Sequence, residues 1–123
     1  MTKIALGLVA LIAILHLYIA WFEIFAWVAR GPNVFQSLPP DLFPPTKAMA
    51  ANQGLYNAFL AVGLIWSLFI SDPVWRRNVA TCFLLFVAVA GIFGAMTVSP
   101  RILVVQTVPS VLALIMLHLW RRA

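Results

Sequence analysis

The chain has 123 residues, 64% of them hydrophobic and 9% charged, and its mean hydropathy of +1.04 argues against a soluble domain. Apolar runs of about 20 residues recur, each long enough to cross about 30 Å of hydrocarbon, so the composition predicts an integral membrane protein. The net charge of +5 does not indicate nucleic-acid binding, because all eight Lys and Arg lie at the termini or between the apolar runs, where they set topology and contact lipid headgroups.

The first apolar run, from about Ile4 to Val28, predicts transmembrane helix 1. It is longer than the apolar core of a signal peptide and lacks a small-residue cleavage site. Gly31 and Pro32 are expected to end it. Five of the eight prolines lie from Pro32 to Lys47, which excludes regular helix there. Because this connection is also apolar, it predicts a lid against the end of the bundle, with these residues packed inward: Phe35, Leu38, Leu42 and Phe43.

Three further runs predict helix 2 over about 48–70, helix 3 over about 78–98 and helix 4 over about 102–120, with short turns that make neighbouring helices antiparallel. Cys82 falls inside helix 3, and a lone cysteine forms no intramolecular disulfide. We see no repeat, low-complexity segment or domain boundary. The sequence therefore predicts one all-α domain over 1–123, an integral membrane four-helix bundle with a long proline-rich loop between helices 1 and 2.

The basic residues predict the orientation of the bundle. With the N-terminus in the cytoplasm, five of them lie inside and three outside, and an excess inside is the usual arrangement. Both termini are therefore expected inside, although the small excess also allows dual insertion. The inner set is Lys3, Arg76, Arg77, Arg121 and Arg122, and the outer set is Arg30, Lys47 and Arg101. Trp75 and Trp120 are expected at the inner interface.

Polar side chains fall into one layer of the predicted bundle. At 1.5 Å per residue, Glu23 and His16 lie roughly 8 and 18 Å below the outer end of helix 1. Polar residues inside spans normally face the bundle interior or a cavity, so the layer predicts one buried site in the outer half of the bilayer. The other helices supply these members: Asn52, Gln53, Tyr56, Asn57, Gly91, Gly94, Thr97 and Gln106.

Residue spacing assigns roles within this layer. The positions 16, 20, 23 and 27 share one helical face. Glu23 is the only carboxylate inside a span and His16 can exchange a proton near neutral pH, so both are catalytic acid/base candidates. The ligand-binding candidates are Trp27, Asn52, Gln53, Tyr56, Asn57, Thr97 and Gln106. Structural alternatives remain open: an interfacial Glu23, a His16 bonded to a backbone carbonyl, and amides that only join helices.

Small residues predict how the helices pack, and the polar residues predict no cofactor. Glycine and alanine at 54, 58 and 61, and at 88, 91 and 95, are expected to let helices 2 and 3 approach closely. A bis-histidine haem would need His118 near His16, but the two are predicted at different depths. A metal site is also disfavoured, because His16 and Glu23 supply only two ligands and a third from Asn or Gln is unusual for zinc.

The same residues carry a resemblance to a known family. They include His16 with Glu23 and Trp27, the string Ala-Asn-Gln-Gly-Leu-Tyr-Asn at 51–57, and three later groups: Ala90 to Gly94, Thr97, and Gln106 with Pro109. Over nearly the whole chain this pattern resembles the domain of unknown function 1304 family of small bacterial and fungal membrane proteins. The resemblance implies a four-helix membrane protein, supports the choice of site residues and leaves the function open. The expected location is the bacterial inner membrane.

Two functions follow from these expectations. The first is a polar pocket that binds or transforms a hydrophobic small molecule, with Glu23 and His16 as the acid/base pair and Tyr56 and the amides orienting its polar end. The alternative is a small proton-coupled exporter acting as a homodimer, with Glu23 as the titrating carboxylate. Small multidrug transporters also have four helices and a Glu on the first, but they lack a proline-rich lid. Membrane lipids are the expected surroundings in both cases.

Overall fold

Four helices make up the computed structural model, which describes residues 2–119. They are α1 (Lys3–Val34), α2 (Lys47–Phe69), α3 (Pro73–Thr97) and α4 (Leu103–Leu119). Each helix packs on the next, α4 packs back on α1, and the described residues form no strand. The predicted all-α four-helix fold is confirmed. The residues expected at the inner surface near the C-terminus, Trp120, Arg121 and Arg122, lie outside the described part.

Two helices begin at side-chain caps. The Thr2 hydroxyl accepts a hydrogen bond from the backbone N–H of Ala5 at 3.2 Å, which starts α1. The Asp72 carboxylate accepts from the N–H groups of Val74 and Trp75 at 2.9 and 2.8 Å, and Pro73 occupies the first helical position. The sequence predicts that this helix starts near residue 78 and that a short turn precedes it. That boundary is wrong, because the cap starts the helix five residues earlier.

Helix α1 continues six residues beyond its predicted end at Val28. It passes through Gly31 and Pro32 and stops at Val34, where Phe35 N–H donates to the carbonyl of Gly31 at 2.8 Å. Proline has a helical φ and removes one intrahelical hydrogen bond, so it does not force the helix to end. The loop after α1 also stabilises this continuation, because it folds back and packs on the last turns of the helix.

That loop is the predicted lid, and it spans residues 35–46. The ring of Phe43 is 1% exposed and lies flat against Gly31, where an added Cβ would overlap the ring. Its centroid is 4.9 Å from that of Trp27, and the Phe35 ring is 5.8 Å from Trp27. Leu42 is 45% exposed, contrary to its predicted inward packing. Two aromatic rings therefore anchor the lid to the C-terminal end of α1, and we call the lid side of the bundle its outer end and outer half.

Two short π-helical segments interrupt the regular helices. One covers Phe22–Ala26 in α1 and the other covers Leu103–Thr107 in α4. The second lies directly before Pro109, which has no N–H to bond the carbonyl of Val105. No comparable sequence signal accompanies the first. Both segments lie in the outer half of the bundle, and each changes the rotation of the residues that follow it.

The apolar core occupies the other half of the bundle. It is built from small and branched side chains of all four helices, all of them 3% exposed or less. Small side chains at these positions allow the helices to approach closely. The members are Ala5, Val9, Ile12, Ala13, Leu64, Ala80, Leu84, Val87, Ala113 and Leu117.

The glycines join different helices from those predicted. Gly54 faces α1, where an added Cβ would lie 3.0 Å from the carbonyl of Ala20, and Gly91 faces Thr107 of α4. Close approach of α2 and α3 occurs instead at Gly63, which the ring of Phe83 covers. The sequence identified small positions correctly but could not assign their partners, since either side of a helix can meet a neighbour.

Replacing Gly91 with Leu is expected to destabilise the bundle, because any side chain there overlaps the hydroxyl of Thr107. Overpacking of this kind costs about 1–3 kcal/mol. Gly7→Leu is the matched control, since nothing lies within 4 Å of its added Cβ. Thermal unfolding of both variants in detergent measures the difference. Equal melting temperatures would show that α3 and α4 do not pack through this position.

Candidate functional site

The outer half of the bundle holds a hydrogen bond between α1 and α2. The Asn57 side-chain amide donates to Glu23 Oε1 at 2.6 Å and to the backbone carbonyl of Gln53 at 3.2 Å. Gly54, one turn before Asn57, makes this contact possible because an added Cβ would lie 3.1 Å from Cβ of Glu23. The local string Gln-Gly-Leu-Tyr-Asn therefore brings an amide and a carboxylate together.

Part of this pair remains open to the outside of the fold. In residues 2–119, every fully enclosed side-chain nitrogen or oxygen has a hydrogen-bond partner. Glu23 Oε2 and Asn57 Oδ1 have no such partner there, so neither atom is fully enclosed. Glu23 itself is half-buried. One carboxylate oxygen is thus bonded within the protein, while the second is unbonded there and not fully enclosed.

A second polar pair joins α1 to α4. His16 is fully buried, its Nδ1 lies 2.8 Å from the carbonyl of Ile12, and its Nε2 lies 3.3 Å from Nε2 of Gln106. A carbonyl only accepts, so Nδ1 carries the proton and Nε2 accepts from the Gln106 amide. Both ring nitrogens are therefore engaged within the protein, and this is the carbonyl-bonded histidine that the sequence left open as an alternative.

The two polar pairs are separate. No direct hydrogen bond links Glu23 or Asn57 to His16 or Gln106 in the described chain. The predicted alignment of positions 16 and 23 assumes regular α-helix, but the π-helical segment begins at Phe22 and changes that rotation. The structure therefore brings each candidate acid/base residue against an amide and does not bring the two into direct contact.

Trp27 serves the lid in this structure. Its indole N–H donates to the Thr46 hydroxyl at 2.9 Å, and that hydroxyl donates in turn to the carbonyl of Leu42 at 2.7 Å. The indole donor is therefore already used. The sequence missed Thr46 in this role, although its place at the end of a proline-rich loop, just before α2, is where a capping hydroxyl is common.

The remaining ligand-binding candidates lie on the surface. Asn52, Gln53 and Tyr56 are exposed on one side of α2, which we call the outer α2 stripe. Their side chains make no hydrogen bond with any described residue, although the Tyr56 ring packs on Phe59 at 6.2 Å. Thr97 is exposed and donates to the carbonyl of Phe93 in its own helix at 2.8 Å. The prediction that these four residues are buried in a polar interior is wrong.

A groove of about 250 Å³ lies near the other end of the bundle, between α2 and α3. It is wide open and almost entirely apolar, and it contains no residue of the two polar pairs. Its lining is Trp66, Trp75, Asn78, Val79, Cys82 and Phe83. No group of three or more His, Cys, Asp or Glu residues able to hold a metal ion occurs in the described part of the chain.

Comparison with known proteins gives a family match over most of the chain. The family described as "Protein of unknown function (DUF1304)" matches residues 10–118. The uncharacterised protein YpaA of Lactococcus lactis subsp. lactis (strain IL1403) is 27% identical over 117 residues, which cover 94% of this chain and 97% of that protein. No solved structure matches the chain significantly.

Replacing Gln106 with Leu is expected to lower the free energy of unfolding by about 1–3 kcal/mol, because Nε2 of the buried His16 loses its donor. Thr97→Val is the control: Thr97 is exposed and bonds only within its own helix, so a change within about 0.5 kcal/mol is expected. Unfolding in detergent measures both variants. If they unfold alike, the His16–Gln106 contact does not hold α1 against α4.

Proposed function

The chain belongs to the DUF1304 family, and we propose that it is a four-span membrane protein that binds a hydrophobic small molecule through Glu23 at the outer end of the bundle. The observation that carries the proposal is the half-bonded carboxylate: Asn57 donates to Oε1, while Oε2 has no partner among the described residues and is not fully enclosed.

Surface composition supports the membrane part of the proposal. The helices Lys3–Val34 and Pro73–Thr97 are long and apolar enough to span a bilayer, and only 33% of the most apolar window of each is buried in the fold. Large apolar side chains are exposed along all four helices. A soluble protein rarely exposes so much contiguous apolar surface, whereas a bundle surrounded by lipid requires it.

The length of α1 supports a position for Glu23 at the hydrocarbon boundary. Its 32 residues extend about 48 Å, and a hydrocarbon layer of about 30 Å that begins at Ile4 ends near Glu23. Tyr18 and Trp21 are exposed at this level, and the Arg30 guanidinium lies 5.4 Å from the Trp21 ring centre. Exposed aromatics and a basic residue folded back toward them are typical of an interface.

A carboxylate at this depth suits a ligand with an apolar body and a polar end. The polar end can reach Glu23 at the boundary while the apolar body remains among the lipid tails. His16 has both nitrogens engaged, so we assign it to holding α1 against α4. The proposal is therefore a binding site centred on Glu23 and Asn57, with the outer α2 stripe beside it.

The outer α2 stripe favours a second candidate, the homodimeric proton-coupled exporter. Amide and phenol groups that face lipid find partners when a second helix covers them, and a second copy of α2 would supply identical groups. Glu23 of each copy would then lie beside the dimer interface and remain bonded to Asn57 on α2 of the same copy. Both candidates place the protein in the bacterial inner membrane with its termini in the cytoplasm.

Cysteine labelling is expected to show that the lid and the α2–α3 turn lie on opposite sides of the membrane. Ser37 and Ser71 are exposed at opposite ends of the bundle and can each be changed to Cys in a Cys82→Ala background. A membrane-impermeant thiol reagent should label position 37 in intact cells and position 71 only after permeabilisation. Labelling of both positions from one side would contradict the four-span arrangement.

Glu23→Gln is expected to retain the fold but weaken ligand binding roughly fivefold to tenfold, because hydrogen bonds to a charged acceptor are stronger than those to a neutral one. Tritiated 1-dodecanol serves as the probe, with protein in phosphatidylcholine nanodiscs and empty nanodiscs as the blank. Asp41→Asn, which removes an exposed acidic residue of the lid, is the control and should bind like the wild type. Absence of saturable binding to the wild type would overturn the proposal.

A further inference from the structure

With Glu23 ionised, the two hydrogen-bonding groups that the Glu23–Asn57 pair leaves open are both acceptors. Both N–H bonds of the Asn57 amide are used, one by Glu23 Oε1 and one by the carbonyl of Gln53. This also fixes the orientation of the amide, because the flipped form would put its oxygen against two other oxygens. Asn57 Oδ1 and Glu23 Oε2 are what remains. A ligand that meets this pair must donate hydrogen bonds.

The charge of Glu23 is also left without a cation from the described protein. Asn57 is its hydrogen-bond partner there, and a neutral amide does not balance a carboxylate. Two of the three basic residues of the outer end, apart from Lys47, are directed elsewhere: Arg30 lies over Trp21, and Arg101 donates to the carbonyl of Val34 at 3.4 Å. A carboxylate near hydrocarbon without a counterion is costly, so a cationic ligand would relieve that cost.

The part of α2 that follows Asn57 is apolar. Residues 58–66 of α2, which follow Asn57, contain no polar side chain other than the indole N–H of Trp66. Phe59 and Val62 are exposed along it. An alkyl chain attached to the bound polar end can therefore lie along α2 without passing a buried polar group.

We propose that the ligand of this site is an amphiphile whose polar end is a primary ammonium group, bound through Glu23 Oε2 and Asn57 Oδ1. The inference rests on the proposed function and specifies its ligand class. A primary ammonium group has three donors and a positive charge, which suit two acceptors of which one is a carboxylate oxygen. A fatty-acid carboxylate offers neither, and it would be repelled by Glu23. A free long-chain amine and an ethanolamine lipid headgroup both present this chemistry.

Three amphiphiles with the same chain length separate charge from hydrogen bonding. Dodecylammonium has charge and donors, dodecyltrimethylammonium has charge alone, and dodecanoate has the opposite charge. Each is titrated as competitor against tritiated 1-dodecanol on wild-type protein in phosphatidylcholine nanodiscs. Dodecylammonium is expected to bind about tenfold more tightly than dodecanoate, with dodecyltrimethylammonium between them.

Variants assign that preference to the site. Glu23→Gln should reduce the tenfold preference to about threefold or less, while the lid variant Asp41→Asn should retain it. Nanodiscs that contain phosphatidylethanolamine then distinguish the two sources. If phosphatidylethanolamine weakens the binding of dodecylammonium, the lipid headgroup is the occupant. If dodecylammonium binds as before, the occupant is a free amine.

Equal or tighter binding of dodecanoate would overturn the ammonium inference and leave the proposed function standing, because dodecanol would still bind. If dodecyltrimethylammonium binds as tightly as dodecylammonium, the proposed role of the hydrogen-bond donors is overturned. If none of the amphiphiles, dodecanol included, binds saturably, both the inference and the proposed function fail.

Discussion

The hydrogen bond from Asn57 to Glu23 determines how the outer half of this protein is arranged. It requires α1 and α2 to approach so closely that a Cβ added at Gly54 would lie 3.1 Å from Cβ of Glu23, and a side chain at position 54 would prevent this. The bond also uses both donors of the amide and one oxygen of the carboxylate. The accessible part of the pair is therefore negatively charged and accepts hydrogen bonds.

The two halves of the bundle are held together by different interactions. The core at the end near the N-terminus is formed by small and branched apolar side chains from four helices. In the outer half, α1 is joined to α2 by Glu23 and Asn57, and to α4 by His16 and Gln106. Each bond satisfies a polar group that would otherwise cost several kcal/mol in an apolar environment. The polar pairs therefore hold helices together and, at Glu23, leave one atom for binding.

The lid gives the outer end of the bundle its fixed form. Phe43 packs on Gly31, and Trp27 bonds to Thr46, so the proline-rich segment is attached at both its middle and its end. Prolines restrict the unfolded loop and lower the entropy lost on ordering it. This attachment explains why α1 continues past Pro32, and it places an ordered aromatic layer next to the Glu23 site.

The sequence by itself determined the number of helices, the lid and the polar residues that bond one helix to another, because apolar run length, proline content and the cost of polar groups are local properties. Glu23, Asn57, His16 and Gln106 were all identified in this way. Only the tertiary structure decided their pairing and exposure. Spacing fixes which residues share a face, but not which neighbour that face meets, and the π-helical segment at Phe22–Ala26 alters the rotation without a sequence signal. The outer α2 stripe is exposed for the same reason: Gly54 turns the neighbouring face toward α1, which leaves Asn52 and Tyr56 on the surface.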